Sequence, residues 1–174
     1  PISYDKFYVA IQKTIQRLQL NSSLEEEKQY LFVRSEHRLI KVNFEEIYYY
    51  RWWTLRKHIK KTEKGFVFTE FLIQRSYADK YNLIASGLGH HIYESRWLHD
   101  KTYMDNNLHV WYRANEGKPL KKLRFYSSWN IDAIWNRYLV NADKAFLVNM
   151  LPDLEEDYKA WEQEKKAGNG LYWQ

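Results

Sequence analysis

Two short stretches concentrate the side chains able to do chemistry. One is Tyr48-Tyr49-Tyr50-Arg51-Trp52-Trp53; the other is His90-His91-Ile92-Tyr93-Glu94-Ser95-Arg96-Trp97. Each sets flat aromatic faces beside hydrogen-bonding groups. A sugar ring asks for that mixture, because it offers apolar CH faces and a rim of hydroxyls. The candidate binding residues are therefore Tyr50, Arg51, Trp53, His90, His91, Glu94, Arg96 and Trp97. Core packing competes for the same residue types. Trp52 lies on the apolar stripe of a predicted helix and is assigned to the core, whereas Tyr50 and Trp53 lie off it and suit a cleft wall. His90 and His91 are neighbours whose side chains project apart, so no shared metal site is expected. Glu94 and Asp100 have acid/base chemistry but pair more readily with Arg96 or water. No cofactor is expected.

The rest of the sequence limits what these stretches can belong to. With 174 residues, 45% of them apolar and 28% charged, the chain has the make-up of a globular protein, with room for one ordinary domain or for a small module and part of a larger one. It contains no cysteine, which excludes disulfides, thiolate zinc sites and cysteine nucleophiles. No apolar run approaches the ~20 residues that cross a bilayer, so no membrane partner is expected. The net charge is only +5 and acidic residues are mixed in throughout. Phosphate affinity needs clustered Lys and Arg, so nucleic acid is not the favoured partner. No basic-then-apolar leader opens the chain, and both ends read as cut from something longer, which leaves the compartment open.

The elements follow from periodicity. Residues 1–43 hold none of the eight Trp, which suggests a module of helix and β-hairpin there and a second region over residues 44–174. Ser3 is placed to cap a helix reaching Leu20, with Phe7, Ile11, Ile15 and Leu18 on one face. Residues 30–34 and 38–43 read as strands of a hairpin around Ser35-Glu36-His37. Asn43 then caps a helix of four to five turns, with Lys60 and Lys61 in its last turn and Phe44, Ile47, Tyr48, Trp52, Leu55 and Ile59 as its stripe. Gly65 ends that segment and residues 66–71 are β-prone. Gly87 and Gly89 read as breakers before His90, and a lysine-rich connection with Gly117 and Pro119 follows Asp100. Ile131, Ile134, Trp135, Tyr138 and Leu139 mark one further helix. Phe146, Leu147, Met150, Leu151, Leu154, Tyr158 and Trp161 mark another, in which Pro152 either makes a kink or starts a new helix. Gly168-Asn169-Gly170 is a stop.

Three stretches carry a resemblance: residues 48–59, residues 89–100 and residues 133–144, the last reading Ala-Ile-Trp-Asn-Arg-Tyr-Leu-Val-Asn-Ala-Asp-Lys. Together they resemble six-hairpin, (α/α)6-toroid glycoside hydrolases of the trehalase and processing α-glucosidase kind. The resemblance implies a mainly α fold of incomplete (α/α)6-toroid-like helical hairpins over residues 44–174, a carbohydrate partner, and hydrolysis by an inverting carboxylate pair. Such a pair stands about 6.5–9.5 Å apart. In that family the acid follows a Tyr/Phe-Trp-Gln stretch. The chain stops at Tyr172-Trp173-Gln174, so neither catalytic residue can be placed and the chain is expected to be inactive alone. An open toroid leaves apolar helix faces uncovered, which predicts self-association.

The first quarter carries a different resemblance. Pro1-Ile2-Ser3-Tyr4-Asp5-Lys6-Phe7 is similar to the end of a response-regulator receiver domain. Tyr30-Leu31-Phe32-Val33-Arg34-Ser35 with Leu39-Ile40-Lys41-Val42 is similar to the opening strands of a LytTR DNA-binding domain. The alternative this implies is a cytoplasmic DNA-binding response regulator, or two parents joined near residues 43–50. The two readings part at residues 44–60: a long helix favours the glycosidase and a strand pair the regulator.

Overall fold

The computed structural model describes the backbone of residues 30–35 and 38–173, and the side chains from Ile47 onward. The helix predicted for residues 3–20 and its receiver-like start lie outside the described residues, as does the turn at Glu36 and His37. Strand β1 (Tyr30–Ser35) pairs antiparallel with β2 (Arg38–Asn43), Ser35 opposite Arg38 and Tyr30 opposite Asn43, as the alternation of residue types predicts. The chain passes from Asn43 directly into α1 (Phe44–His58), a helix of about four turns. Two compact units meet in sequence at Lys57 and His58.

Helix α1 ends a turn earlier than its lysines suggest. Lys60 and Lys61 belong to β3 (Ile59–Thr62), which pairs antiparallel with β4 (Gly65–Phe68), Ile59 opposite Phe68. Ile59 is buried, but from a strand rather than from the helix stripe. The predicted α1 stripe is also rotated: Ile47 and Tyr48 are exposed and Tyr49 is the buried residue.

Among the described residues four more helices follow, α2 (Ala85–Ser95), α3 (Thr102–Arg113), α4 (Asn130–Asn141) and α5 (Lys144–Lys165). The architecture is mainly helical, with small two-stranded sheets, as the toroid-like hairpins require. Helix α3 was not expected; the stretch after Asp100 reads as a connection because Asp105, Asn106, Asn107 and His109 dilute its apolar face. Met104, Leu108 and Trp111 nonetheless recur at helical spacing and are fully buried. Its asparagines have a task. Asn106 Oδ1 accepts from Phe66 N at 3.3 Å and Asn107 Oδ1 from Phe68 N at 2.9 Å, so α3 satisfies the outer edge of β4 in place of a third strand.

Gly87 and Gly89 do not break the segment; both are buried inside α2. Pro152 does not end α5, which continues through it. Arg113 grips the helix on both sides of that proline, donating to Asn149 Oδ1 at 3.0 Å and from Nε to Asp153 Oδ2 at 3.0 Å. The α4–α5 corner is tight: Ala142 has φ 52°, and the side chain of Asp143 caps α5 by accepting from Phe146 N at 3.0 Å. The expected stop at Gly168–Gly170 is present, with Gly170 at φ 81°.

On α4 the buried face is Ala133, Ile134 and Arg137, while Ile131, Trp135 and Leu139 of the predicted stripe are exposed. The cause is an ion pair. The Arg137 guanidinium is almost fully shielded, lies over the Phe146 ring at 4.6 Å and donates to Asp105 on α3. Burial pushes the Asp105 carboxyl above its ordinary range, and Arg137 opposes that rise. Removing one partner strands the other's charge, so D105A is expected to cost about 3–5 kcal/mol in urea unfolding. The double variant D105A/R137M should recover much of that loss. A double variant no more stable than D105A would contradict this account.

Candidate functional site

A cavity of about 320 Å³ opens between the start of α4 and the second half of α5. The end of the α3–α4 connection supplies Ser127, Ser128 and Trp129; α4 supplies Asn130, Ile131 and Asp132. Helix α5 supplies Asp157, Tyr158 and Trp161, which share one side of the helix by their spacing. Tyr172 closes the ring. It is brought back by an isolated bridge between Lys166 and Tyr172 and by Trp173 N donating to Lys165 O at 2.9 Å, with Lys165 Nζ 4.2 Å above the Trp173 ring.

Trp129 holds its place through α2. Its ring meets Tyr93 edge-on at 4.8 Å and His90 at 5.1 Å. A Cβ on Gly89 would stand 2.6 Å from that ring, so the glycine is needed for close approach. Tyr93 also donates from its hydroxyl to Asp132 Oδ2 at 3.4 Å. The opposite wall is held by charge. Arg124 Nη1 donates to Asp157 Oδ1 at 3.1 Å, and its Nε and Nη2 grip Glu164 at 3.2 and 2.9 Å. Burial pushes the Asp157 carboxyl up, and Arg124 works against that rise. Behind the wall, burial drives the Tyr112 phenol far above its usual range. The Tyr112 hydroxyl and both amide atoms of Asn130 are buried without a hydrogen-bond partner, although Asn130 is near enough to act on the phenol.

The sequence-predicted residues divide. Tyr50, Arg51 and Trp53 lie on α1 in the first compact unit, with Tyr50 and Trp53 rings 5.6 Å apart and Lys57 Nζ 4.0 Å above Trp53. His90, His91, Glu94, Arg96 and Trp97 lie in the second. Of these, His90 touches the cavity wall through Trp129. His91 points elsewhere, its Nε2 3.4 Å from Glu70 Oε2 and its ring 6.1 Å from Phe68. His90 and His91 thus contact different neighbours, Trp129 and Glu70. Arg96 lies over the rings of Tyr93 at 4.1 Å and Trp97 at 5.2 Å, and Trp97 is more than half exposed. Glu94 is half-buried on α2.

The sequence pattern does not reveal the cavity: Tyr158 and Trp161 fall in the apolar repeat of α5 with Met150 and Leu154, but Tyr158 is half exposed. The available signal was Asp157: a carboxylate three residues after Leu154 and seven after Met150 sits on the buried side of α5 and needs a reason.

Comparison with known proteins supplies the class. The family described as "Mannosylglycerate hydrolase MGH1-like glycoside hydrolase domain" matches residues 80–174, just over half of the chain. The chain is thus glycoside hydrolase-like, and it belongs to this MGH1-like glycoside hydrolase family. A solved structure titled "Sialidase" is similar over 99% of this chain at 48% identity, with a TM-score of 0.75. The chain spans 16% of that protein's length. Both halves of the chain therefore have counterparts in one polypeptide. No curated protein matches.

Two outcomes follow from this geometry. G89A should push Trp129 out of its seat, red-shift tryptophan emission and lower stability by about 1–3 kcal/mol, the usual cost of overpacking. Unchanged emission and stability would contradict the close approach. His91 holds the Glu70 carboxyl below its ordinary 4.5, against partial burial. A depressed carboxylate pKa contributes stability that is present above 4.5 and lost as pH falls through the lower folded value. Acid unfolding of E70Q should lack that component below pH 4.5, and an acid limb identical to that of the unsubstituted chain would count against it.

Proposed function

We propose that this chain is a carbohydrate-binding part of a glycoside hydrolase whose complete form cleaves a glycosidic bond with inversion, and that the chain alone binds without turnover. The observation that carries this is the position of the family match, which spans every residue lining the aromatic cavity. Trp129, Tyr158, Trp161 and Tyr172 offer stacking faces for a ring's CH surfaces, and Ser127, Ser128, Asn130 and Asp132 offer hydrogen bonds to its hydroxyls. The absence of turnover is supported by the cavity's carboxylates: inversion needs two working carboxyl groups, and of the two in the lining Asp132 is exposed while Asp157 is buried. Asp157 is tied to Arg124, and Asp132 accepts from Tyr93 and from Asn136 Nδ2 at 3.2 Å. In the full-length parent the acid/base pair is then supplied from outside these residues. The family's name mentions mannosylglycerate and the similar structure's title a sialidase, which makes glycosides of both kinds candidate ligands.

The trehalase and α-glucosidase likeness adds neutral α-glycosides to that range. A DNA-binding role lacks a second observation, since residues 44–58 form α1 and not the strand pair such a regulator requires. The test is a tryptophan-fluorescence titration of the intact chain with methyl α-glucoside, methyl α-mannoside and mannosylglycerate. Saturable quenching by at least one, weakened in W161F and without release of free sugar, is the expected result. A flat response to all three would sink the proposal.

A further inference from the structure

The cavity's lining has a one-sided charge pattern. It contains two carboxylates, Asp132 and Asp157, and no Lys, Arg or His. Two cations beside it are matched by carboxylates. Arg124 is shared between Asp157 and Glu164, so the three together carry excess negative charge. Lys166 is held by Glu162 at 2.9 Å. The start of α4 borders the cavity and has the positive end of a helix dipole, worth about half a charge, but Asp132 occupies its first turn and more than offsets that.

We propose that this cavity accepts an uncharged sugar ring and rejects a ring that bears its own carboxylate. The proposal rests on the carbohydrate reading above and narrows it, from glycosides in general to those whose bound ring is neutral. The physical basis is repulsion. A ring carboxylate entering the cavity meets Asp132 at the rim and Asp157 in the wall, finds no cation in the lining, and loses hydration on the way in. A neutral ring meets Asp132 as an acceptor for its hydroxyls. The aromatic walls serve both rings alike, so the discrimination comes from charge and not from shape. Asp132 is the residue that sets it, because it is exposed enough to face an incoming ligand and its own hydrogen bonds, from Tyr93 and Asn136, leave acceptor capacity over.

The test uses matched rings that differ only at C6. Methyl α-glucoside and methyl α-mannoside are titrated into the intact chain at pH 8 and low salt, beside the corresponding methyl uronates. The neutral member of a pair should bind at least about tenfold more tightly than its uronate, and both 0.5 M salt and the D132N variant should narrow the gap. Uronates that bind as well as the neutral rings would overturn the proposal while leaving the carbohydrate reading intact. A gap that neither salt nor D132N changes would also overturn it, because the discrimination would then not be electrostatic. Failure of all four sugars to bind would remove the carbohydrate reading and this proposal together.

Discussion

The contact between Gly89 and Trp129 is the constraint from which the site's arrangement follows. Helix α2 and the start of α4 can approach only because position 89 has no Cβ; a methyl group there would overlap the indole. That approach fixes the Trp129 ring against Tyr93 and His90, and the next residue begins α4. Asn130, Ile131 and Asp132 therefore arrive at the cavity in a set orientation. Tyr93 reinforces it by donating to Asp132. The same glycine thus determines both a packing contact in the core and the position of the wall beside it.

Three arginines complete the frame, each reaching a helix distant in sequence. Arg113 on α3 holds Asn149 and Asp153, Arg124 in the α3–α4 connection holds Asp157 and Glu164, and Arg137 on α4 holds Asp105. Buried charge is costly unless paired and hydrogen-bonded, so these contacts define one arrangement of α3, α4 and α5 sharply even where their net contribution to stability is small. At the cavity the consequence is chemical. Arg124 keeps a carboxylate in the wall that burial alone would tend to neutralise.

Much of the helical fold was legible in the sequence, because α4, α5 and most of α1 carry apolar residues at helical spacing. The misreadings have definite causes. Lys60 and Lys61 look like the end of a helix by their charge, yet Ile59 pairs opposite Phe68 and draws both into a strand. Gly87 and Gly89 look like breakers, because sequence alone does not say that another side chain will occupy the space a Cβ would fill. Helix α3 is masked by Asn106 and Asn107, whose partners are backbone groups of β4 about forty residues away. The site was legible only in part. The aromatic and polar residues of the stretch around His90 were visible, but their meeting with Trp129 depends on tertiary packing. Tyr158 and Trp161 are visible only as part of the apolar pattern of α5, since nothing local distinguishes a cavity wall from a packed face.

The proposed sugar site is tested most directly by intermolecular nuclear Overhauser contacts between a bound methyl α-mannoside or α-glucoside and the indole protons of the chain. The account predicts contacts from the ring CH protons to Trp129 and Trp161. Contacts confined to Trp53, Trp97 or Trp135, with none to Trp129 or Trp161, would contradict it.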